Sequence, residues 1–106
     1  MISIYWGETE MTRKEVLEQA EKCVNGSREE DYGSPEHNFD RIAKMWNAYL
    51  GDNIVDAHDV AMMLSLLKIA RARSGRKMDN YIDLAGYAAC AGEIVAHKQN
   101  PCMLGA

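Results

Sequence analysis

Cysteine is scarce and its three copies are scattered. Cys23, Cys90 and Cys102 show no CxxC spacing, which argues against a thiolate zinc site or a disulfide framework and for a reducing cytosol. Positive charge is in deficit. Twelve Lys and Arg face sixteen Asp and Glu, a formal charge of −4, so bulk electrostatic capture of DNA or RNA is not expected and only a local basic patch would serve. No apolar run approaches the ~20 residues that cross a bilayer. The apolar start, Met1 to Trp6, is short and lacks the basic flank and cleavage pattern of a signal peptide. Ser-His-Asp, Cys-His and Gly-rich phosphate-loop patterns are also missing. Repeats, linkers and low-complexity tracts are absent as well.

What is present is an ordinary globular composition. The 106 residues are 47% apolar, enough for one domain with its own core and too apolar for disorder. Punctuation divides the chain into four helices, an all-α, four-helix bundle-like single domain over residues 1–106. Residues 1–11 read as an N-terminal arm, in which Ile2-Ser3-Ile4-Tyr5 is the one stretch suited to a short strand. Residues 102–106 read as a frayed tail.

Thr12 followed by Glu15 is a capping box, each side chain able to satisfy an orphan N–H of the other. The helix it opens carries Val16, Leu17, Ala20, Cys23 and Val24 at helical spacing and stops at Asn25-Gly26. Ser34-Pro35 starts the second helix, with Phe39, Ile42, Ala43, Trp46 and Leu50 as its apolar stripe and Gly51 as its stop. Asp56 caps the third. From Val60 to Ala70 only Ser65 and Lys68 are polar, which predicts a central helix covered on several sides, with Met62 and Met63 in the core. The fourth begins near Asp79 and runs to about Lys98, and its Ala and Gly residues permit close helix approach. A short connection between the third and fourth helices makes them an antiparallel hairpin at the centre of the fold.

The most informative segment is Asp79-Asn80-Tyr81-Ile82-Asp83-Leu84-Ala85-Gly86-Tyr87-Ala88. Asp79 and Asp83 stand one turn apart on one face of an apolar helix. A carboxylate taken out of water needs a counter-charge, a metal or hydrogen bonds. Two partners suit Asp83. Lys68 or Arg71, brought close by the hairpin, would make it a structural ion pair. Mg²⁺ would make it a ligand, together with Asp79 and with a further carboxylate, for which Asp59 is the nearest candidate.

Two other clusters carry chemistry. Arg28, Tyr32, His37 and Asn38 supply a phosphate fork, a stacking ring and two polar hands around a helix start, an arrangement that suits a nucleotide. Glu29 and Glu30 read as solvated. Glu15, Glu18 and Glu21 recur every three residues; they could contribute metal ligands, but they suit a solvated face paired with Lys14 and Lys22 better.

The span from Arg28 to Tyr87 resembles a family of small phage and prophage proteins of unknown function. The likeness is carried by Arg28, Asp31-Tyr32-Gly33, Asn38-Phe39, Ile42-Ala43, Trp46, Asp59-Val60-Ala61, Lys68-Ile69-Ala70-Arg71 and Asp79 to Tyr87. The Asp79–Asp83 motif also looks like the second acidic motif of MazG-like all-α NTP pyrophosphatases. Asp83 matches that motif's final Asp, while Asn80 stands where it has Glu and Asp79 is the substitute. The first acidic pair of those enzymes has no clean counterpart.

That likeness implies a Mg²⁺-dependent NTP or dNTP pyrophosphohydrolase. Asp79 and Asp83 are the expected catalytic residues and Asp79, Asp83 and Asp59 the metal ligands. Arg28, Tyr32, His37, Asn38, Lys68, Arg71 and Asn80 are the expected nucleotide contacts. It also implies a homo-oligomer, in the host cytosol if phage-encoded. The alternative is a non-catalytic counter-defence protein that sequesters an immune signalling nucleotide or blocks a defence nuclease of the anti-CRISPR kind. Its negative charge suits the latter, because an acidic surface can occupy a nucleic-acid channel. A third reading is a helical scaffold whose polar cluster is structural.

Overall fold

The computed structural model describes residues 11–25 and 35–99. The expected arm and tail, apart from Met11, lie outside the described residues, as do Arg28 and Tyr32. The fold is all-α. Among the described residues four helices follow one another: α1 (Arg13–Asn25), α2 (Pro35–Leu50), α3 (Ala57–Ser74) and α4 (Met78–Gln99).

Local chemistry sets the helix ends. At α1 the Thr12 backbone N–H donates to Glu15 Oε1 at 2.8 Å and the Glu15 N–H donates to Thr12 Oγ1 at 3.2 Å, so the capping box forms. Between α2 and α3, Asn47 replaces a regular turn with side-chain hydrogen bonds. Its Oδ1 accepts from the N–H groups of Ile54 and Val55, and its Nδ2 donates to the Val55 carbonyl. Gly51, at φ 78°, takes the left-handed conformation that stops α2. Asp56 caps α3 through a second reciprocal box with Asp59.

Helices α3 and α4 form the central hairpin and share the largest contact. Helix α2 packs on α3, and α1 packs on α4. The core gathers Phe39 and Ala43 from α2, Ala57, Val60 and Ala61 from α3, and Cys90, Ala91 and Ile94 from α4. Trp46 and Tyr87 pack against it half-buried, and the Phe39 and Tyr87 rings meet at 6.2 Å in a tilted pair. Small residues let the backbones close. A Cβ added at Gly86 would lie 3.1 Å from Val24 Cγ1, so glycine sets the approach of α1 to α4.

The third helix departs from its sequence reading. Met62, Met63, Leu66, Leu67 and Ile69 are all exposed. The near-continuous apolar run predicts cover on several sides, but among the described residues α1 packs on α4, and α2 and α4 cover one side of α3. Leu50, expected in the α2 stripe, is exposed too. None of the described helices is long and apolar enough to cross a membrane.

Candidate functional site at the turn between the central helices

The hairpin connection is three residues long, Gly75-Arg76-Lys77. It forces α3 and α4 to run past each other closely, so residues at similar distances from the turn meet. Lys68 and Asp83 do so: Lys68 Nζ lies 2.9 Å from Asp83 Oδ2. The lysine side chain is only 13% exposed and the aspartate side chain 35%. A nearly buried ammonium and a half-buried carboxylate therefore neutralise each other across the two helices, at the geometry of a charge-assisted hydrogen bond.

Asn80 explains itself at the same place. It is 6% exposed, and its Nδ2 donates to the Gly75 carbonyl at 3.2 Å. The Gly75 N–H in turn donates to the Arg71 carbonyl, and the Asn80 N–H to the Lys77 carbonyl. The amide thus ties the first turn of α4 back to the end of α3. A carboxylate could not donate that bond, which gives a structural reason for Asn at this position.

Around this pair the turn is basic. Arg71, Arg73, Arg76 and Lys77 are exposed within one stretch of seven residues, on a chain that is acidic as a whole. Arg71 stands one turn beyond Lys68 on α3. Asp79 lies in the first turn of α4, where the partial positive charge of the helix start favours a carboxylate. It is half-buried and one turn before Asp83.

Of the residues singled out from sequence, Lys68, Arg71, Asp79, Asn80 and Asp83 come together here. Asp59 does not join them. It precedes Lys68 by nine residues, about 13 Å along α3, and its carboxylate accepts the Asp56 N–H in the α3 cap. Asp56, His58 and Asp59 offer ligand atoms within 4.8 Å of one another, a grouping that sequence reading did not single out, since it took Asp56 as a cap and set Asp59 with Asp79 and Asp83. His37 is exposed and Asn38 half-buried at the start of α2. Their neighbour Glu36 meets His97 at 3.2 Å, fourteen residues beyond Asp83, which holds the start of α2 toward the other end of α4. Glu15 is engaged in the α1 cap, and Glu18 and Glu21 are exposed.

The fold and this turn define a small all-α domain with a neutralised Lys–Asp pair set in a basic tip. The chain belongs to the family described as Domain of unknown function (DUF6378), whose model matches residues 15–95. The Gene 55 protein of Mycobacterium phage D29 is 41% identical over 80 residues, covering 74% of this chain and 52% of its own length. The Gene 55 protein of Mycobacterium phage L5 is 45% identical over 74 residues, 69% of this chain and 47% of its own length. The chain thus spans about half the length of the curated relatives it matches. These matches place it in a family of phage proteins of unknown function. No solved structure matches the chain.

Proposed function

We propose that this protein handles nucleotides and holds the phosphates of an NTP or dNTP at the turn between α3 and α4. One observation carries the reading: the Lys68–Asp83 pair at 2.9 Å, with a second cation, Arg71, and a second carboxylate, Asp79, each one turn away. A Mg²⁺–phosphate complex matches that set sign for sign. Phosphate oxygens take Lys68 and Arg71, and the cation takes Asp79 and Asp83. The donor set suits Mg²⁺, which binds through one or two carboxylates and fills the rest of its shell with phosphate oxygens and water. Asp59 stands outside it. When bound, the metal supplies charge neutralisation on the triphosphate and a water of lowered pKa. The chain's own residues orient the phosphates, with Lys68 held ready by the carboxylate it leaves. The chemistry is pyrophosphohydrolysis, in which water and a nucleoside triphosphate give a monophosphate and pyrophosphate.

A second reading, capture without turnover, is favoured by Asn80. It is buried and bonded to the Gly75 carbonyl, so it brings no carboxylate to the metal, and this supports an acidic set smaller than hydrolysis uses. Under that reading the protein sequesters a signalling nucleotide of host defence.

One experiment separates the two. The purified protein is incubated with each NTP and dNTP and Mg²⁺ or Mn²⁺, with pyrophosphate release and calorimetric binding measured on the same samples. Release that disappears in Asp83→Asn supports hydrolysis. Saturable binding with no release supports capture. Neither binding nor release, at high protein concentration, removes the nucleotide reading.

A further inference from the structure

The uncovered face of α3 has a pattern of its own. Met62 is 45% exposed, Met63 44%, Leu66 63%, Leu67 49% and Ile69 51%. Asp59, Met62, Leu66, Ile69 and Arg73 are spaced three, four, three and four residues apart, which keeps all five on one stripe of the helix. The stripe is apolar in its middle, acidic at its first residue and basic at its last. Arg73 makes no ion pair among the described residues.

We propose that this stripe is a self-association surface, and that two copies of the chain pair their α3 helices antiparallel about a two-fold axis at Leu66. The charge pattern selects this occupant. Asp59 and Arg73 lie seven residues either side of Leu66, so an antiparallel pairing centred there sets each Asp59 against the Arg73 of the other copy. Met62 then meets the Ile69–Ala70 step, and Leu66 meets itself. A two-fold contact must be self-complementary in this way, with residue i on j and j on i. A parallel pairing would instead bring Asp59 to Asp59 and Arg73 to Arg73. Asp59 already accepts one hydrogen bond within the α3 cap, and a carboxylate has acceptor sites to spare for a guanidinium.

The area is consistent with that occupant. The five apolar side chains expose on the order of 400 Å², the scale at which apolar patches mark interaction sites. A standard interface takes about 800 Å² from each partner, so the apolar side chains of this face, with Met63 and Leu67 beside the stripe included, supply roughly half. Leu66 and Lys68 are two residues apart, about 200° around the helix. Pairing through Leu66 therefore leaves the Lys68–Asp83 turn open, and this inference stands whether or not that turn binds nucleotides.

The test combines mass and cross-linking. Sedimentation of the full chain is expected to give twice the 11.9 kDa chain mass at micromolar concentration. Leu66→Glu, at an exposed position, is expected to yield a folded monomer, with the helical circular dichroism unchanged as the control for folding. In a Cys23→Ser, Cys102→Ser background, Leu66→Cys is expected to form a disulfide-linked dimer on oxidation. Met62→Cys alone is expected to form none, because its two copies lie about 12 Å apart along the axis. Met62→Cys mixed with Ala70→Cys is expected to cross-link. A monomer at all concentrations overturns the proposal. A dimer insensitive to Leu66→Glu, or self-linking of Met62→Cys, overturns the surface or the register.

Discussion

Lys68 and Asp83 form an ion pair at 2.9 Å across the central hairpin, with the lysine nearly buried and the aspartate half-exposed. This pair answers the main question posed by the motif in α4, where a carboxylate on an apolar helix needs a counter-charge. It also sets the terms of the proposed site, because any phosphate that binds there competes with Asp83 for Lys68.

Asp83→Ala is expected to destabilise the fold by about 1–3 kcal/mol. The magnitude lies between that of exposed pairs, about 0–1 kcal/mol, and of fully buried ones, about 3–5 kcal/mol when one partner is removed. Urea denaturation reads it. The double change Lys68→Met, Asp83→Leu is expected to recover most of the loss, because it leaves no charge unpaired. A loss in the double variant equal to the sum of the Lys68→Met and Asp83→Leu single losses would mean that the two residues do not interact.

Asn80→Asp is expected to cost about 2 kcal/mol, since it removes the donor to the Gly75 carbonyl and places a carboxylate at a 6% exposed position against that oxygen. Thermal melting measures it. Unchanged stability would mean that the amide does not hold the turn and is available to a ligand.

Two glycines of α4 should respond in opposite ways. Gly92 is exposed and a Cβ there meets nothing within 4 Å, so Gly92→Ala is expected to stabilise by about 0.5–1 kcal/mol. At Gly86 the added Cβ would sit 3.1 Å from Val24 Cγ1, and the gain in helix propensity is expected to be cancelled by crowding against α1. Gly86→Leu is expected to loosen α1 at a cost of about 1–3 kcal/mol. Faster amide exchange confined to α1 is the accompanying sign.

Glu15 sets a pH dependence. The Thr12 backbone N–H and then its hydroxyl bind the Glu15 carboxylate and hold its pKa below the ordinary 4.5. Because the folded value is the lower one, the stabilisation is fully present above the unfolded pKa and is lost as pH falls through 4.5 and then through the folded value. The protection of the Val16 amide and its neighbours against hydrogen exchange, taken relative to the intrinsic rate at each pH, is expected to fall over that window. Glu15→Gln is expected to remove this part of the pH response.

The helices were legible in the sequence because their ends are local chemistry. Thr12 with Glu15, the cap Asp56, and Gly51 each act within a few residues, although the part Asp59 plays in the α3 cap was not read. A cation of α3 near Asp83 was legible too, because a short turn makes a hairpin, but the sequence left Lys68 and Arg71 open and only the packed helices single out Lys68. The exposure of α3 was not. An all-round apolar helix predicts burial, but which neighbours cover it depends on where α1 and α2 pack, and that is a tertiary outcome. The role of Asn80 was hidden for a related reason: a buried amide that closes a turn and one that faces a ligand read alike until the Gly75 carbonyl is seen beside it.

The central claim is that nucleotide phosphates bind at the turn between α3 and α4. Backbone amide chemical shifts, followed while a mixture of NTPs and dNTPs with Mg²⁺ is titrated into the isotope-labelled protein, test it most directly. Saturable shifts concentrated at Lys68, Arg71 and residues 76–83, and lost in Lys68→Met, are expected. Shifts centred instead on residues 36–38 or on Asp56 to Asp59, or no shifts at millimolar nucleotide, would contradict it.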